Sequence, residues 1–212
     1  MKNINLILLP ISFILFLACD SCKKDTSVSG PINISGQVVD KNTNTPVTVA
    51  EVDLIERDGG MFGGGSSTTL QRMYADSNGK FTFSNVTINS AKTYTVLGYK
   101  LLYFNDGNNT VDVDENHPSN VIIPMQPMAW LKLHVKDTAP FDKYDVIGFG
   151  SPWGGGAGPF GGQNIDTFLY AQVYGNINTR IVGSITKNNK TNIVNKYLIC
   201  PAFDTTLYNF FY

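Results

Sequence analysis

The side chains that could carry acid-base, nucleophilic or metal chemistry are few and lie far apart in the sequence. The chain has two histidines, His117 and His134, and three cysteines, Cys19, Cys22 and Cys200. They form no Cys-x-x-Cys pair or mixed Cys/His set with the spacing of a zinc site. A hydrolase would need a nucleophile, a base and a group that orients the base, and the sequence offers no such set. We therefore predict no catalytic residues and no cofactor.

His134 and Cys200 have simple structural interpretations. His134 alternates with Lys132 and Lys136, which is typical of the solvated face of a strand. Cys200 follows an apolar run and precedes a proline, so we expect a small buried side chain at the end of a strand. A Cys22–Cys200 disulfide is possible in an oxidising compartment, but two unpaired thiols are the simpler expectation.

A group of acidic residues could bind calcium, which takes carboxylate oxygens as ligands. Its members are Asp106, Asp112, Asp114 and Glu115. The alternation of valine and aspartate over residues 111–114 explains two of these acids as the solvent face of a strand. We therefore predict no metal site here.

Glycine is concentrated in two short runs, which together hold 13 of the 20 glycines, at residues 59–65 and 148–162. Phe62 lies in the first run, and Phe149, Trp153 and Phe160 lie in the second. One hypothesis is that both runs are adaptable loops that offer aromatic rings to a sugar, a peptide or a partner protein. The alternative is that they are plain connections whose rings pack onto the ends of the fold.

The first 18 residues have the layout of a secretory signal peptide, with a lysine near the start, a short apolar run and a small residue at the end. The segment Phe16-Leu17-Ala18-Cys19 resembles the bacterial lipobox, whose cysteine is lipidated after cleavage. This resemblance implies that Cys19 carries the lipid, that residues 19–30 form a tether, and that the protein is anchored in the cell envelope. We expect the outer membrane. Cys22 is the alternative lipid site, but Cys19 and Asp20 are poor lipobox residues before it.

The composition indicates a folded β-protein. The chain has 212 residues, a net charge of −1 and 16% charged residues, which argues against nucleic acid as a partner. Hydrophobic residues make up 42% and aromatic residues 12%, which is enough for a packed core. Only three glutamates accompany 21 asparagines and 20 glycines, and this balance favours strands and turns over helices.

Short alternating runs separated by turn residues predict an all-β fold made of two β-sandwich domains, at residues 31–126 and 127–212. The predicted strands cover residues 32–40, 47–55, 70–75, 81–83, 94–96, 101–104, 111–113, 121–124, 129–136, 144–149, 165–174, 179–186, 193–199 and 206–212.

Four sequence blocks in residues 31–126 resemble the carboxypeptidase regulatory-like domain. They are Ile-Ser-Gly-Gln-Val-Val-Asp at 34–40, Pro-Val-Thr-Val-Ala-Glu-Val-Asp-Leu at 46–54, Asp-Ser-Asn-Gly-Lys-Phe-Thr-Phe at 76–83, and Tyr-Thr-Val with Gly-Tyr at 94–99. The resemblance implies a transthyretin-like (prealbumin-like) sandwich of about seven strands in a bacterial lipoprotein. It implies a setting in the envelope but no reaction, because this fold serves many functions.

The function that these observations predict is that of a non-enzymatic, lipid-anchored protein of the cell envelope. Its two loops, with Phe62, Phe149, Trp153 and Phe160, would bind a partner protein or a glycan. The alternative is a purely structural spacer module of an outer-membrane assembly.

Overall fold

The structure is a computed structural model that describes residues 30–58, 65–113, 118–152 and 156–212. These residues form fourteen strands and no helix, so the predicted all-β fold is confirmed. Within the same ranges, no helix has the length and apolar character needed to cross a membrane.

The first seven strands form one sandwich, called here the first sandwich. In β4 the buried rings of Phe81 and Phe83 alternate with exposed residues, whereas β2 and β5 each have three consecutive buried residues. The strands are β1 (Ile32–Asp40), β2 (Glu51–Asp58), β3 (Ser67–Tyr74), β4 (Lys80–Val86), β5 (Lys92–Tyr99), β6 (Thr110–Asp112) and β7 (Val121–Met125).

The last seven strands form the second sandwich. In β8 the buried residues Leu131, Leu133 and Val135 alternate with Lys132 and His134 on the outer face, as the sequence predicts. The strands are β8 (Met128–Lys136), β9 (Val146–Phe149), β10 (Ala157–Gly161), β11 (Asp166–Tyr174), β12 (Asn178–Lys187), β13 (Lys190–Ile199) and β14 (Thr205–Phe211).

The two sandwiches share one strand order, which the sequence does not reveal. The first has sheets β4-β1-β7 and β3-β2-β5-β6, and the second has sheets β11-β8-β14 and β10-β9-β12-β13. If the strands are numbered 1 to 7 within each sandwich, the two sheets of each sandwich have the strand orders 4-1-7 and 3-2-5-6. In both, the first strand pairs antiparallel with the fourth and parallel with the seventh. The chain is thus a tandem of two copies of one architecture.

Each sandwich has its own core between its two sheets. The larger fully buried side chains of the first core include Ile34, Val52, Leu54, Phe83 and Ile123. Those of the second include Leu131, Leu133, Ile147 and Ile181, and the buried Cys200 belongs to the same core, as expected from the sequence. Two separate cores let each sandwich bury its apolar surface without the other.

The main differences between the predicted strands and the structure lie at three places. Residues 101–104 form a turn with one isolated bridge between Tyr103 and Pro127, rather than a strand. β2 begins at Glu51 rather than residue 47, because Val49 has a positive φ of 53° that interrupts the extended chain. β10 was not predicted, since its glycines and proline hide the alternation that marks a strand.

Candidate functional site

The two sandwiches meet end to end, where β7 leads into β8 across only Gln126 and Pro127. Hydrogen bonds join them around Gly175. Its carbonyl accepts from Asn42 Nδ2 at 2.9 Å and from Gln126 Nε2 at 3.2 Å, and its own N–H donates to the Pro127 carbonyl at 2.8 Å. A Cβ at this position would lie 2.7 Å from the Cα of Ala202, so only glycine fits there.

Aromatic rings from both sandwiches cover this junction. Phe104, in the loop between β5 and β6, meets Tyr174 edge to face, with ring centroids 4.7 Å apart and planes at 89°. Tyr103 and Phe203 form a second pair across the junction, at 5.3 Å. Edge-to-face pairs of this kind stabilise by about 0.5–1.5 kcal/mol beyond their buried area. The rings therefore hold the two sandwiches in one arrangement.

Tyr174 also makes a polar contact across the junction. Its hydroxyl donates to Asp106 Oδ2 at 2.6 Å. Partial burial raises the pKa of Asp106, but hydrogen bonds from Tyr174 and Asn108 outweigh it, so the pKa lies below its usual value. The same hydrogen bond raises the pKa of the Tyr174 hydroxyl, and burial adds to that shift. Both groups keep their ordinary charge states near neutral pH.

A cleft of about 350 Å³ opens beside this aromatic pair. Its walls come from three places: the β5–β6 loop, two residues of the second glycine-rich loop, and the end of β11 with the start of β12. The lining residues are Phe104, Ser151, Pro152, Gln172, Val173, Tyr174, Ile177, Asn178, Thr179 and Arg180. The volume is in the range of sites that hold small molecules.

Most polar groups of the cleft are neutral. Gln172 and Asn178 offer amides, and Ser151 and Thr179 offer hydroxyls. Arg180 is the one charged residue among the described residues that line the cleft, and its guanidinium donates to Asn195 Oδ1 at 3.0 and 2.7 Å. Amides and hydroxyls beside aromatic rings can bind a polar, uncharged ligand through hydrogen bonds and ring contacts.

The four aromatic residues predicted for the binding loops differ in their burial and in whether the structure describes them. Phe62 and Trp153 lie outside the described residues. Phe160 is half-buried and packs against the second core. Phe149 is only 3% exposed and meets Phe210 edge to face at 5.2 Å, so the expectation of an exposed ring is wrong for this residue. Phe149 is buried because it lies at an inward position of β9.

The second glycine-rich loop nevertheless borders the cleft. Ser151 and Pro152 line it, and they directly precede Trp153 in the chain. The Ser151 hydroxyl donates to the Arg180 carbonyl at 3.0 Å, which ties this end of the loop to β12. The loop is therefore fixed to the rim of the cleft on at least one side.

The other sequence candidates have structural roles or lie outside the described residues. His134 lies on the outer face of its sheet, with Nε2 2.6 Å from Asp166 Oδ1 and its ring stacked on Phe168. Cys19, Cys22, Asp114, Glu115 and His117 fall outside the described residues. Among those that are described, no three His, Cys, Asp or Glu side chains are grouped to hold a metal ion.

A buried ionic cluster lies at the far end of the second sandwich. Lys187 Nζ is 2.9 Å from Asp137 Oδ1 and 4.0 Å from Asp145 Oδ2, and both aspartate side chains are fully buried. The same ammonium donates to the Thr138 carbonyl and, at 3.1 Å, to the Tyr212 carbonyl. Burial, reinforced by the two aspartates, raises the pKa of the Tyr212 hydroxyl to about 12. With three acceptors around one ammonium, the cluster is suited to stabilise the fold rather than to react.

Sequence reasoning missed the residues that form the cleft. Residues 101–104 were predicted as a strand, which hid Phe104 as a loop residue. Tyr174 is the last residue of the predicted strand 165–174, and its partner Phe104 lies 70 positions away. Only the end-to-end packing of the sandwiches brings the two rings together, and no local pattern encodes it.

No family model matches this chain, and no curated protein sequence matches it. Among solved structures, the shaft pilin SpaA from Lactobacillus rhamnosus GG (D295N mutant) aligns with 11% identity over 84% of this chain and 96% of that one, with a TM-score of 0.33. Fervidolysin from Fervidobacterium pennivorans, a keratinolytic enzyme related to subtilisin, aligns with 12% identity over 82% of this chain and 29% of its own, with a TM-score of 0.30. A Bacteroides ovatus protein provisionally named as a cell adhesion protein aligns with 8% identity over 87% and 92% of the two chains, with a TM-score of 0.25. These likenesses are too loose to place the chain in a family.

Proposed function

We propose that this protein is a lipid-anchored, non-enzymatic protein of the cell envelope that binds a neutral glycan in the cleft at the junction of its two sandwiches. The observation that carries the proposal is the lining of the cleft. It combines the rings of Phe104 and Tyr174 with the amides of Gln172 and Asn178. Sugars present both hydroxyl groups and apolar C–H faces, and this lining has a partner for each.

Binding fits the chemistry of the cleft better than catalysis does. The described lining residues include no His, Asp, Glu or Cys. The carboxylate of Asp106 already accepts a hydrogen bond from the hydroxyl of Tyr174. Glycoside hydrolysis commonly needs two carboxyl groups that flank the bond to be broken. A cleft without free carboxyl groups would hold a glycan and leave it intact.

The anchor would place the cleft away from the membrane. β1 begins just after the predicted tether, and its far end, at Asp40, lies at the junction, where Asn42 contacts Gly175. A strand of nine residues spans about 30 Å. The cleft would therefore stand about that far above the start of the fold, within reach of cell-surface polysaccharide.

A structural spacer is the second candidate, and the junction favours it. The hydrogen bonds around Gly175 and the two ring pairs would keep the sandwiches from hinging, which a stiff spacer requires. A spacer needs no ligand, so the two candidates differ in whether the cleft binds one.

The test is a binding assay with the full lipidated protein in detergent, on a glycan array and with purified cell-surface polysaccharide. Phe104→Ala and Gln172→Ala should each weaken retention of the bound glycan, while Tyr170→Ala, an exposed change on the outer face of the same β11, should not. Identical profiles for the wild type and both cleft variants would refute the cleft as the site. A wild type that retains no glycan would favour the spacer.

A further inference from the structure

β13 is an edge strand with an open side. It is one of the two longest strands, with ten residues, and it pairs with β12 at all ten positions without a register shift. Within the part of the chain that the structure describes, β12 is its one neighbour in the sheet. An edge strand presents unpaired N–H and C=O groups along its outer side, which can pair with another strand.

Three large apolar side chains of β13 are exposed beside this edge. Ile193, Tyr197 and Ile199 are 62%, 63% and 58% exposed, and all three project from the outer face of the sheet. The opposite edge of the same sheet, β10, contains Gly158 and Pro159 and has a register shift. Prolines and bulges protect an edge against pairing, and β13 has neither; its protection is limited to Lys190 and Lys196. The sheet is thus blocked at one edge and open at the other.

We infer that β13 pairs antiparallel with β13 of a second copy of this chain, about a two-fold axis at Asn195. Residues that face each other in an antiparallel pair have side chains on the same side of the sheet. The axis must therefore pass through a residue, and the lysines of β13 exclude two of the candidates. An axis at Ile193 would set Lys190 opposite Lys196, and an axis at Lys196 would set that residue opposite its own copy.

An axis at Asn195 avoids both clashes and pairs the apolar residues. Ile193 then faces Tyr197 of the second copy, Lys196 faces Val194, and Thr191 faces Ile199. Pairs of an aromatic and a β-branched side chain are favourable across antiparallel strands. An axis at Val194 would instead leave Ile199 without a partner. A net charge of only −1 puts little repulsion between two copies.

The antiparallel arrangement determines at which ends of the dimer the two tethers lie. This part of the inference rests on the proposed lipid anchor. β13 runs from the far end of the second sandwich toward the junction, and the first sandwich continues beyond it. Reversing the second copy puts its first sandwich at the opposite end. The two tethers would then emerge about 90 Å apart, since three sandwiches of about 30 Å lie in line. Such a dimer would be anchored at its two ends in two membranes that face each other.

Disulfide crosslinking of the full chain tests the register. In the proposed pair the two Asn195 Cα atoms are about 4.5–5.5 Å apart, within reach of a disulfide. The two Ile193 Cα atoms are four residues out of register, about 14 Å apart. Asn195→Cys should therefore crosslink to a dimer under mild oxidation in detergent, and Ile193→Cys should not. Chains with Ile193→Cys mixed with chains that carry Tyr197→Cys should crosslink to each other.

The parent chain controls for the native cysteines, since Cys200 is fully buried and Cys22 is present in every sample. The register would be overturned if Asn195→Cys gave no more crosslinked dimer than the parent chain. It would also be overturned if Ile193→Cys gave as much dimer as Asn195→Cys. A second measurement does not depend on crosslinking. The wild type should have twice the mass of one chain in analytical ultracentrifugation. I193K/Y197K, with two changes at exposed positions, should have the mass of one chain and the Tm of wild type diluted until it is monomeric.

Vesicles test the orientation separately from the pairing. Vesicles that carry the lipidated wild type should cluster, and vesicles that carry I193K/Y197K should stay dispersed. If Asn195→Cys crosslinks in detergent but wild-type vesicles stay dispersed, the facing-membrane arrangement is wrong. Loss of glycan binding would leave all these readouts unchanged, because the cleft variants lie outside β13.

Discussion

The hydroxyl of Tyr174 in the second sandwich donates a hydrogen bond of 2.6 Å to the carboxylate of Asp106 in the first. The tyrosine ring simultaneously meets Phe104 at 4.7 Å. One side chain thus makes an apolar and a polar contact across the junction, and it also lines the cleft. The proposed binding in the cleft and the contacts across the junction therefore involve the same residue.

Tyr174→Phe should remove the polar contact and keep the ring pair. We expect a loss of about 0.5 kcal/mol in the free energy of unfolding, because both groups are partly exposed. Urea unfolding of the two proteins at neutral pH measures it. A loss above about 3 kcal/mol would mean that the ring pair is disturbed as well.

The stability that Asp106 contributes should depend on pH in a definite direction. Its pKa in the folded protein is below the ordinary 3.8, so its contribution is fully present above the unfolded pKa and is lost as pH falls through the folded value. Wild-type Tm should therefore fall more steeply below about pH 4 than the Tm of Tyr174→Phe. Parallel curves for the two proteins would contradict this assignment.

Lys187→Met should be among the most destabilising single changes in the chain. It would leave the fully buried carboxylates of Asp137 and Asp145 without their cation, which typically costs about 3–5 kcal/mol. The matched control is Lys136→Met, whose partner Asp166 is 3.0 Å away and half exposed, where we expect less than about 1 kcal/mol. Equal Tm values for the two variants would show that the cluster is unimportant for stability.

Phe149→Ala separates a core role from a binding role. Because this ring is buried against Phe210, we expect a loss of about 3–5 kcal/mol in the free energy of unfolding. Phe160→Ala, at a half-buried position of β10, should cost clearly less. Chemical denaturation gives both values. A Phe149→Ala protein with wild-type stability would restore this residue as a candidate for binding.

Cys19→Ala tests the anchor. If Cys19 carries the lipid, the variant should move from the membrane fraction to the soluble fraction after cell lysis and ultracentrifugation, because stable attachment needs the acyl chains. Cys22→Ala is the control and should stay with the membranes. Release by Cys22→Ala and retention of Cys19→Ala would reverse the assignment of the two cysteines.

Most of the fold could be predicted because its strands alternate. In β8, Leu131, Leu133 and Val135 are apolar at every second position, and local sequence is enough to mark such a strand. β10 lacks that pattern, since its glycines and proline have no alternating side chains. The shared strand order of the two sandwiches also escaped prediction, because pairing between distant strands leaves no local signal.

The site was harder to predict than the fold, for a physical reason. Local sequence marks aromatic residues but does not show which side of a strand faces the core in a weakly alternating segment. The glycines around Phe149 predict an exposed ring, yet Phe149 lies inward on β9. Tyr174 and Phe104 were not singled out, because their contact depends on how two separate sandwiches stack.

The parallel pairing of first and last strands has a mechanical consequence. β1 pairs with β7 over five positions and β8 with β14 over seven, each pair in the same direction. A pull between the start of the first strand and the end of the last strand slides the two past each other along their length. Such shear loads all the ladder hydrogen bonds at once, whereas peeling breaks them one at a time. Both sandwiches are therefore suited to resist tension between the start of the first strand and the end of the last strand.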